Sequence, residues 1–263
     1  NTPGAPTLAV VSNHTDELAI SVTAGDSNPS STTYAFSCDS GSNFLNYSNG
    51  SCDALADDSN HWRNAVDWGT FNATGLTANT NYTYEAQARN GDKTPTALSS
   101  SNSKYTNIEA PSGITFSGVT SNSITVAATG SFTNLSTGSS GLYFTAVTGG
   151  GEACFGTWTT TNSCIDNGLT NNTTYTYKAK ARNAEGVETA EVTDSQLTQD
   201  LAGASGATIT PTGTDAINIT WTDNSNNETG FKVFISTTAA DDCAAATYAG
   251  TPDHITAADA TSW

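Results

Sequence analysis

The chain has 263 residues, and its 25 acidic residues outnumber its 8 basic ones, for a formal net charge of −17. Because nucleic acids and anionic membranes are bound through clustered lysine and arginine, this balance argues against both as partners. A surface of this charge suits a soluble protein that meets cations, glycans or other proteins.

The sequence also predicts that the chain is not inserted into a membrane, since no stretch approaches the roughly 20 apolar residues that span a bilayer. It begins at Asn1 and contains no methionine, which is typical of a chain whose leader has been removed. We therefore expect a mature protein that is secreted or displayed on a cell surface.

Short runs of alternating apolar and polar residues recur along the chain, bounded by Gly, Asn, Ser, Thr and Pro. This pattern predicts β-strands that bury one face, and no long amphipathic helix interrupts it. The apolar members of three such runs are Leu18, Ile20 and Val22, then Ile124 and Val126, then Ile217, Ile219 and Trp221. The fold class predicted from them is all-β.

The spacing of these runs indicates a repeat of domain size. Ile124 and Ile217 are 93 residues apart, whereas Leu18 precedes Ile124 by 106 residues. The first repeat therefore carries about 13 extra residues, and they fall in an interval that contains Cys38 and Cys52. We expect this insertion to be a loop that a disulfide fastens.

One fifteen-residue phrase occurs twice at the same 93-residue spacing: LTANTNYTYEAQARN at 76–90 and LTNNTTYTYKAKARN at 169–183. The phrase resembles the corner and following strand of fibronectin type III domains. The resemblance implies that Leu76 and Leu169 fill the core. It also implies that Tyr82 and Tyr175 form tyrosine corners, in which the hydroxyl bonds back to the backbone.

The third run adds a further mark of that family. Trp221 stands where fibronectin type III domains keep a tryptophan on the second strand, whereas the first two runs have Val22 and Ala128 there. We predict immunoglobulin-like (fibronectin type III) β-sandwiches at residues 1–108, with a disulfide-bearing insertion, and at 109–200, and a partial one at 201–263. They are called the first, second and third repeats below.

The third repeat has no copy of the phrase, so it is expected to lack its last two strands and to leave a sheet edge open. Two explanations stay open at this point. Either the sequence is a fragment, or a neighbouring subunit supplies the missing strands by strand addition. Cys243 lies in this repeat without an evident partner.

The other four cysteines lie in two close pairs, Cys38 with Cys52 and Cys154 with Cys164. No CxxC spacing or neighbouring histidine completes a zinc site. Two local disulfides in an oxidising compartment are the prediction, and free buried thiols are the alternative.

Few residues suggest chemistry. His14, His61 and His254 fit no catalytic motif, so we expect ordinary surface or loop histidines and no enzyme activity. Asp223, Asn224, Asn226 and Glu228 could supply oxygen ligands to calcium, although caps within a turn explain them as well. No other cofactor is predicted.

Three aromatic residues allow a contact surface. Trp62 and Trp68 lie in the insertion of the first repeat, and Trp158 lies between the second pair of cysteines. Exposed rings could stack on sugars or anchor a protein partner, and the alternative is that they seal the flank of a sandwich. Glycosylation is permitted at Asn-x-Ser/Thr sequons, which occur at Asn13, Asn46, Asn49, Asn72, Asn81, Asn134, Asn171, Asn172, Asn218 and Asn227.

The sequence therefore predicts an extracellular structural or interaction protein: a spacer, stalk or filament subunit whose partners are protein neighbours or further copies of itself. The alternative function is a set of accessory, non-catalytic modules, in contact with glycans, within a larger secreted polysaccharide-degrading enzyme. Fibronectin type III motifs specify a fold and no activity.

Overall fold

The computed structural model describes residues 3–25, 28–148, 154–225, 228–235 and 251–263. Nearly all regular structure in these residues is β-strand, so the predicted all-β fold class is confirmed. Two compact units result, one of residues 1–115, 126–165 and 176–194, the other of residues 116–125, 166–175 and 195–263. The domain boundaries predicted after residues 108 and 200 stay predictions. No helix of the described residues is long and apolar enough to cross a bilayer.

The described residues of the first repeat form eight strands and one short helix. They are β1 (Thr7–Ser12), β2 (Glu17–Thr23), β3 (Thr33–Ser37), β4 (Asn43–Leu45), β5 (Cys52–Ala54), α1 (Ala65–Trp68), β6 (Thr70–Thr74), β7 (Asn81–Arg89) and β8 (Asn102–Tyr105). The strands form two antiparallel sheets, in the orders β1-β2-β6 and β5-β4-β3-β7-β8.

The two sheets of the first repeat bury a shared core. Leu18 and Ile20 of β2 are fully buried, as are Phe36 of β3 and Ala86 of β7. These residues alternate with polar ones along each strand, so one face of each sheet is apolar. The predicted β-sandwich is thereby confirmed, and the order of its strands is that of fibronectin type III domains.

The insertion of the first repeat forms more than a loop. Its β4–β5 hairpin extends the five-stranded sheet beyond β3, and α1 follows, capped by the Asn64 side chain, which accepts a hydrogen bond from the Asp67 N–H at 2.8 Å. Trp68, the last residue of α1, is 2% exposed and packs on Phe36 with ring centroids 4.4 Å apart. The insertion therefore supplies a core tryptophan to a repeat that has Val22 on its second strand.

The second repeat contains β9 (Gly113–Ser117), β10 (Ser123–Thr129), β11 (Gly141–Ala146), β12 (Trp158–Thr159), β13 (Ser163–Asn167), β14 (Thr174–Arg182) and β15 (Val192–Leu197). Their sheet orders are β13-β10-β9 and β12-β11-β14-β15. Phe144 of β11 pairs with Ala179 of β14, and both are buried.

The third repeat contains β16 (Ser205–Pro211), β17 (Ile217–Thr222), β18 (Lys232–Val233) and β19 (His254–Ile255). β16 pairs with β17, and β18 pairs with β19. Trp263 exchanges backbone hydrogen bonds of 2.8 and 2.9 Å with Ile219, so the last described residues lie against β17. Cys243 lies outside the described residues.

Candidate functional site

The repeated phrase forms the same corner twice. The Tyr82 hydroxyl accepts a hydrogen bond from the Thr77 N–H at 2.9 Å, and the Tyr175 hydroxyl accepts one from the Thr170 N–H at 2.8 Å. Leu169 is buried, and Leu76 packs partly buried against the first core. The geometry is that of the tyrosine corner that the resemblance implied.

A threonine closes each corner from the far side. The Thr106 hydroxyl donates to the Thr77 carbonyl at 2.7 Å, and the Thr198 hydroxyl donates to the Thr170 carbonyl at 2.7 Å. Within each corner, Asn79 and Asn172 both adopt a φ of 48°. This is a left-handed conformation that asparagine tolerates better than most residues. The two corners therefore share their backbone as well as their sequence.

The side chain of Asn79 reaches beyond its own corner, although both ends of the contact lie in the first compact unit. Its amide nitrogen donates to the carbonyls of Thr133 and Asn134 at 3.2 and 2.8 Å. Its amide oxygen accepts from the Ala184 N–H at 2.8 Å. Asn79 is 3% exposed, and these three bonds use most of what a buried amide can make.

Two more asparagines complete this cluster, which we call the junction. Asn134 donates through its side chain to the Thr80 hydroxyl at 2.8 Å and to the Ala78 carbonyl at 3.3 Å. Asn183, fully buried, donates to the Thr106 carbonyl at 3.1 Å. Residues of the first repeat thus bond to the 133–134 and 183–184 segments of the second.

An ion pair lies beside the junction. The Lys104 ammonium is 2.6 Å from the Glu185 carboxylate, and both side chains are about a quarter to a third exposed. The same carboxylate accepts a hydrogen bond from the Tyr105 N–H at 3.3 Å. Exposed pairs of this kind contribute about 1 kcal/mol or less, so the buried asparagine amides are the stronger part of the junction.

Asn172, the counterpart of Asn79, has a different environment. Its side chain is exposed and makes no hydrogen bond within the part of the chain that the structure describes. The chain therefore contains a matched pair of asparagines with the same backbone conformation, of which one is bonded and buried and the other is free.

The structure overturns the expectation that every histidine is an ordinary surface or loop residue. His61 is 3% exposed, with one ring nitrogen 2.6 Å from the Asp53 carboxylate and the other 2.9 Å from the Asp58 carboxylate. These bonds tie β5 to the turn before α1. His14 is largely exposed and pairs with Glu17, and the His254 ring stacks on Trp263 at 4.7 Å.

The electrostatics of the His61 cluster follow from this geometry. Burial by itself would lower the pKa of His61, but hydrogen bonds to Asp58 and Asp53 outweigh burial and raise it. The hydrogen bonds from His61 in turn lower the pKa of Asp53 and of Asp58. Both ring nitrogens are occupied by carboxylates, so His61 stabilises the insertion and has no nitrogen left for a substrate.

Two of the three aromatic residues are buried, so for them the contact surface is wrong and the alternative, that they seal the flank of the sandwich, holds. Trp62 is 6% exposed and packs with Ala35 and Phe44, and Trp68 is a core residue whose indole N–H donates to the Tyr34 carbonyl at 2.8 Å. Both rings became buried because the insertion folds onto the sandwich instead of projecting from it.

Trp158 is the half-buried member of that set. The Arg182 guanidinium lies 4.3 Å from its ring centroid, and the Tyr143 ring lies 5.1 Å away. One face of the indole is therefore covered by a cation–π contact, which leaves less of the ring to stack on another molecule.

The cysteines lie as the spacing indicates, with Cys38 bonded to Cys52 and Cys154 bonded to Cys164. The first disulfide joins the end of β3 to β5 and thus fastens the added hairpin. The second bridges the segment that carries Trp158. Both stay within one repeat.

The residues that could bind calcium in the structure differ from the predicted set. Carboxylate oxygens of Asp223, Glu228 and Asp259 all lie within 4.8 Å of one another. The Asn224 amide instead donates to the Gly203 carbonyl at 2.8 Å and to the Ser205 hydroxyl at 2.9 Å, and Asn226 lies outside the described residues. Asp259 was missed because it is far along the chain, and calcium binding stays a prediction.

Trp221 lies on β17 of the third repeat. It lines a groove of about 330 Å³ together with Ala207, Ile209, Ile219, Phe231 and Val233. Ile209 is 65% exposed, and the Trp221 and Phe231 rings are 5.4 Å apart. A core tryptophan was predicted here, and among the described residues its ring is half-buried against Phe231.

Comparison with known proteins finds distant structural neighbours. No family model matches the chain, and no curated protein does. A two-domain fibronectin type III segment from chicken tenascin is 19% identical, covers 75% of this chain and 100% of its own, and has a TM-score of 0.46. The FN1–FN3 domains of chicken CNTN1 are 14% identical, cover 100% and 88%, and score 0.31. At these scores neither neighbour adds to what the strand order shows.

Proposed function

We propose that the chain is a non-catalytic spacer and interaction protein, used as a stalk or filament subunit outside the cell. The observation that carries this proposal is the junction, in which buried asparagine side chains of one repeat bond to backbone groups of the next. Buried polar groups with satisfied hydrogen bonds favour one arrangement over others, and a spacer has to hold its repeats in a fixed orientation.

Two further observations support the extracellular part of the proposal. The two disulfides suit an oxidising compartment, because cytosolic proteins keep their thiols reduced. The acidic, lysine-poor surface favours a protein that stays dispersed until a specific partner binds. Each of the two disulfides staples one repeat, as is common in secreted modules.

The proposal is tested by whether the first two repeats move as one body. In wild-type protein, NMR residual dipolar couplings from residues 7–25 and 28–105 and from residues 126–148, 154–165 and 176–194, all in the first compact unit, should fit one alignment tensor. Asn79→Ala should separate them into two tensors, because the carbonyls and the N–H that it bonds lose their partner. Asn172→Ala is the matched control, since it makes the same change at the same φ without removing a junction bond. Two tensors in the wild type would contradict the spacer role.

The accessory-module function is the second candidate, and it rests on Trp158. This ring is half-buried, and Arg182 covers one of its faces, so a glycan could contact its free edge. Isothermal titration with soluble polysaccharides should then give heat that Trp158→Ala abolishes. Equal heats for both proteins would contradict the accessory-module function, and the spacer role would be the remaining candidate.

A further inference from the structure

The insertion of the first repeat forms one side of a cleft of about 580 Å³. Leu45 and Cys52 of the β4–β5 hairpin line this side, and the facing side is lined by Leu76 of the corner and by Tyr82 and Tyr84 of β7. Sites for small molecules have volumes of roughly 300–1,000 Å³. The cleft is therefore large enough for such a ligand.

The hairpin side of the cleft is held in place at both ends. The Cys38–Cys52 disulfide fastens the hairpin to β3. At its turn, Gly50 is buried with a φ of 73°, and a Cβ there would lie 2.8 Å from the Thr74 hydroxyl oxygen of β6. A side chain at this position would collide with Thr74 and strain the backbone. The shape of the cleft is thus built into the fold, as is usual for small-molecule sites.

The cleft contains a buried hydrogen-bond donor. Tyr84 is 2% exposed, and its hydroxyl makes no hydrogen bond to any residue that the structure describes. Burial, with a smaller contribution from Tyr82, raises the pKa of Tyr84 to about 12, so the hydroxyl stays protonated. A ligand that accepts a hydrogen bond from Tyr84 would give this donor a partner, which is favourable in a buried site.

The second repeat shows what fits against this tyrosine. Tyr177 has the same place in its phrase as Tyr84, and Phe155 stacks on it with ring centroids 5.8 Å apart and an angle of 29° between the planes. Phe155 follows Cys154, so it comes from the disulfide-bearing segment of its repeat. Among the described residues of the first repeat, no ring stacks on Tyr84. An aromatic ring is therefore the group that suits the space beside Tyr84.

Charge narrows the chemistry of that ring further. The described residues that line the cleft include neither an acidic nor a basic one. A charged ligand would lose its hydration there without gaining an opposite charge, and the net charge of −17 adds to the penalty for an anion. The suitable ring is therefore part of a neutral molecule.

We propose that the cleft binds a small neutral aromatic compound with a hydrogen-bond acceptor attached to its ring, such as an aryl ketone, amide or ether. The ring packs on Tyr84 in the way that Phe155 packs on Tyr177, and the acceptor receives the Tyr84 O–H. This site goes beyond the proposed spacer role and does not rest on it.

Three matched compounds test the two parts of this chemistry. NMR amide spectra of the whole protein are recorded with acetophenone, with ethylbenzene, which lacks the acceptor, and with cyclohexyl methyl ketone, which lacks the aromatic ring. Acetophenone should shift the amides of Leu45, Leu76 and Tyr84 saturably, with a Kd about 5-fold lower than that of either control compound. The proposal is overturned if these amides show no saturable shift, or if either control compound binds as tightly as acetophenone.

Two variants distinguish the cleft from nonspecific binding. Tyr84→Phe keeps the ring and removes the hydroxyl, so acetophenone should bind about 5-fold more weakly and no better than ethylbenzene. Tyr177→Phe makes the same change in the second repeat, where Phe155 already covers the ring, and it should leave binding unchanged. Equal affinities in the wild type and both variants would contradict the role of Tyr84. Should Tyr84→Phe not fold, the three compounds on wild-type protein decide.

The outcome is separate from that of the tensor experiment. The cleft lies wholly within the first repeat, whereas the tensors report on how the first two repeats are held together. Failure of acetophenone to bind would leave the spacer role in place, and two tensors in the wild type would leave the cleft in place.

Discussion

Trp68 offers the sharpest test of how the insertion stabilises the first repeat. It comes from α1, outside the strands of the sandwich, yet it is 2% exposed and contacts Phe36, Phe71 and Tyr47 with ring centroids 4.4 to 5.4 Å away. If the insertion did not contribute to the core, truncating the Trp68 side chain would change the free energy of unfolding very little. We expect Trp68→Ala to be among the most destabilising single changes in the repeat.

The magnitude follows from the burial. A tryptophan side chain removes roughly 200 Å² from water, which at about 25 cal/mol per Å² gives about 5 kcal/mol as an upper value. Measured losses for such truncations are about 3–5 kcal/mol in the free energy of unfolding. Trp68→Phe keeps a ring but removes one of the two donors to the Tyr34 carbonyl, the other being the Arg63 N–H at 3.2 Å, so a loss of about 1 kcal/mol is expected.

The assay is guanidinium unfolding of the whole chain, with amide hydrogen exchange at β3 used to assign the loss to the first repeat. Val66→Ala is the matched control, because Val66 lies in the same helix and is 89% exposed; its effect should stay within about 0.5 kcal/mol. A Trp68→Ala protein that unfolds within about 1 kcal/mol of this control would refute the reasoning.

Three further predictions concern the insertion and the third repeat. Because the pKa of His61 is raised in the folded protein, its contribution to stability is complete below the ordinary value of 6.5 and is lost as pH rises through the raised value. The pKa values of Asp53 and Asp58 are lowered, so their contribution is complete above the ordinary value of 3.8 and is lost as pH falls through the lowered values. The protection factors of the β5 amides, which correct for the intrinsic pH dependence of exchange, should therefore be largest between about pH 4 and 6.5, and His61→Gln should remove their decline above that range. Replacing Cys38 and Cys52 together by Ser should lower the free energy of unfolding by about 3 kcal/mol, and an unchanged denaturation midpoint would contradict this. Calcium chloride should raise the melting temperature through the carboxylates of Asp223 and Asp259, less so in Asp259→Asn; the calcium prediction fails if the wild-type melting temperature does not move.

Local features of this fold could be predicted from sequence, because their signal is contained in a few adjacent residues. Alternation identified the strands, and the phrase around Tyr82 and Tyr175 identified two corners whose hydroxyl bonds close within five residues. The nearness of Cys38 to Cys52 along the chain likewise indicated a bond between them.

Features that depend on packing between distant segments could not be predicted in this way. Trp68 and His61 lie in a stretch without periodicity, and only the fold brings Tyr34 and Asp53 to them. The junction left no separate signal in the sequence: Asn79 and Asn172 stand at the same place in the phrase, where the left-handed backbone of the corner already favours asparagine. The junction bond of Asn79 depends on Asn134, which is 55 residues away along the chain.

The junction also bears on which sequons a cell can use. The side-chain nitrogen of Asn134 is the atom that would carry a sugar, and it is the atom that bonds to Thr80 and Ala78. An oligosaccharide attached there before folding would remove a donor and place bulk between the two repeats. Asn134 and Asn49 are both exposed, but a sugar on Asn134 would compete with the two hydrogen bonds that its nitrogen makes in the junction. A host that glycosylates nascent chains would yield a protein with a damaged junction, and a host without that machinery would spare it.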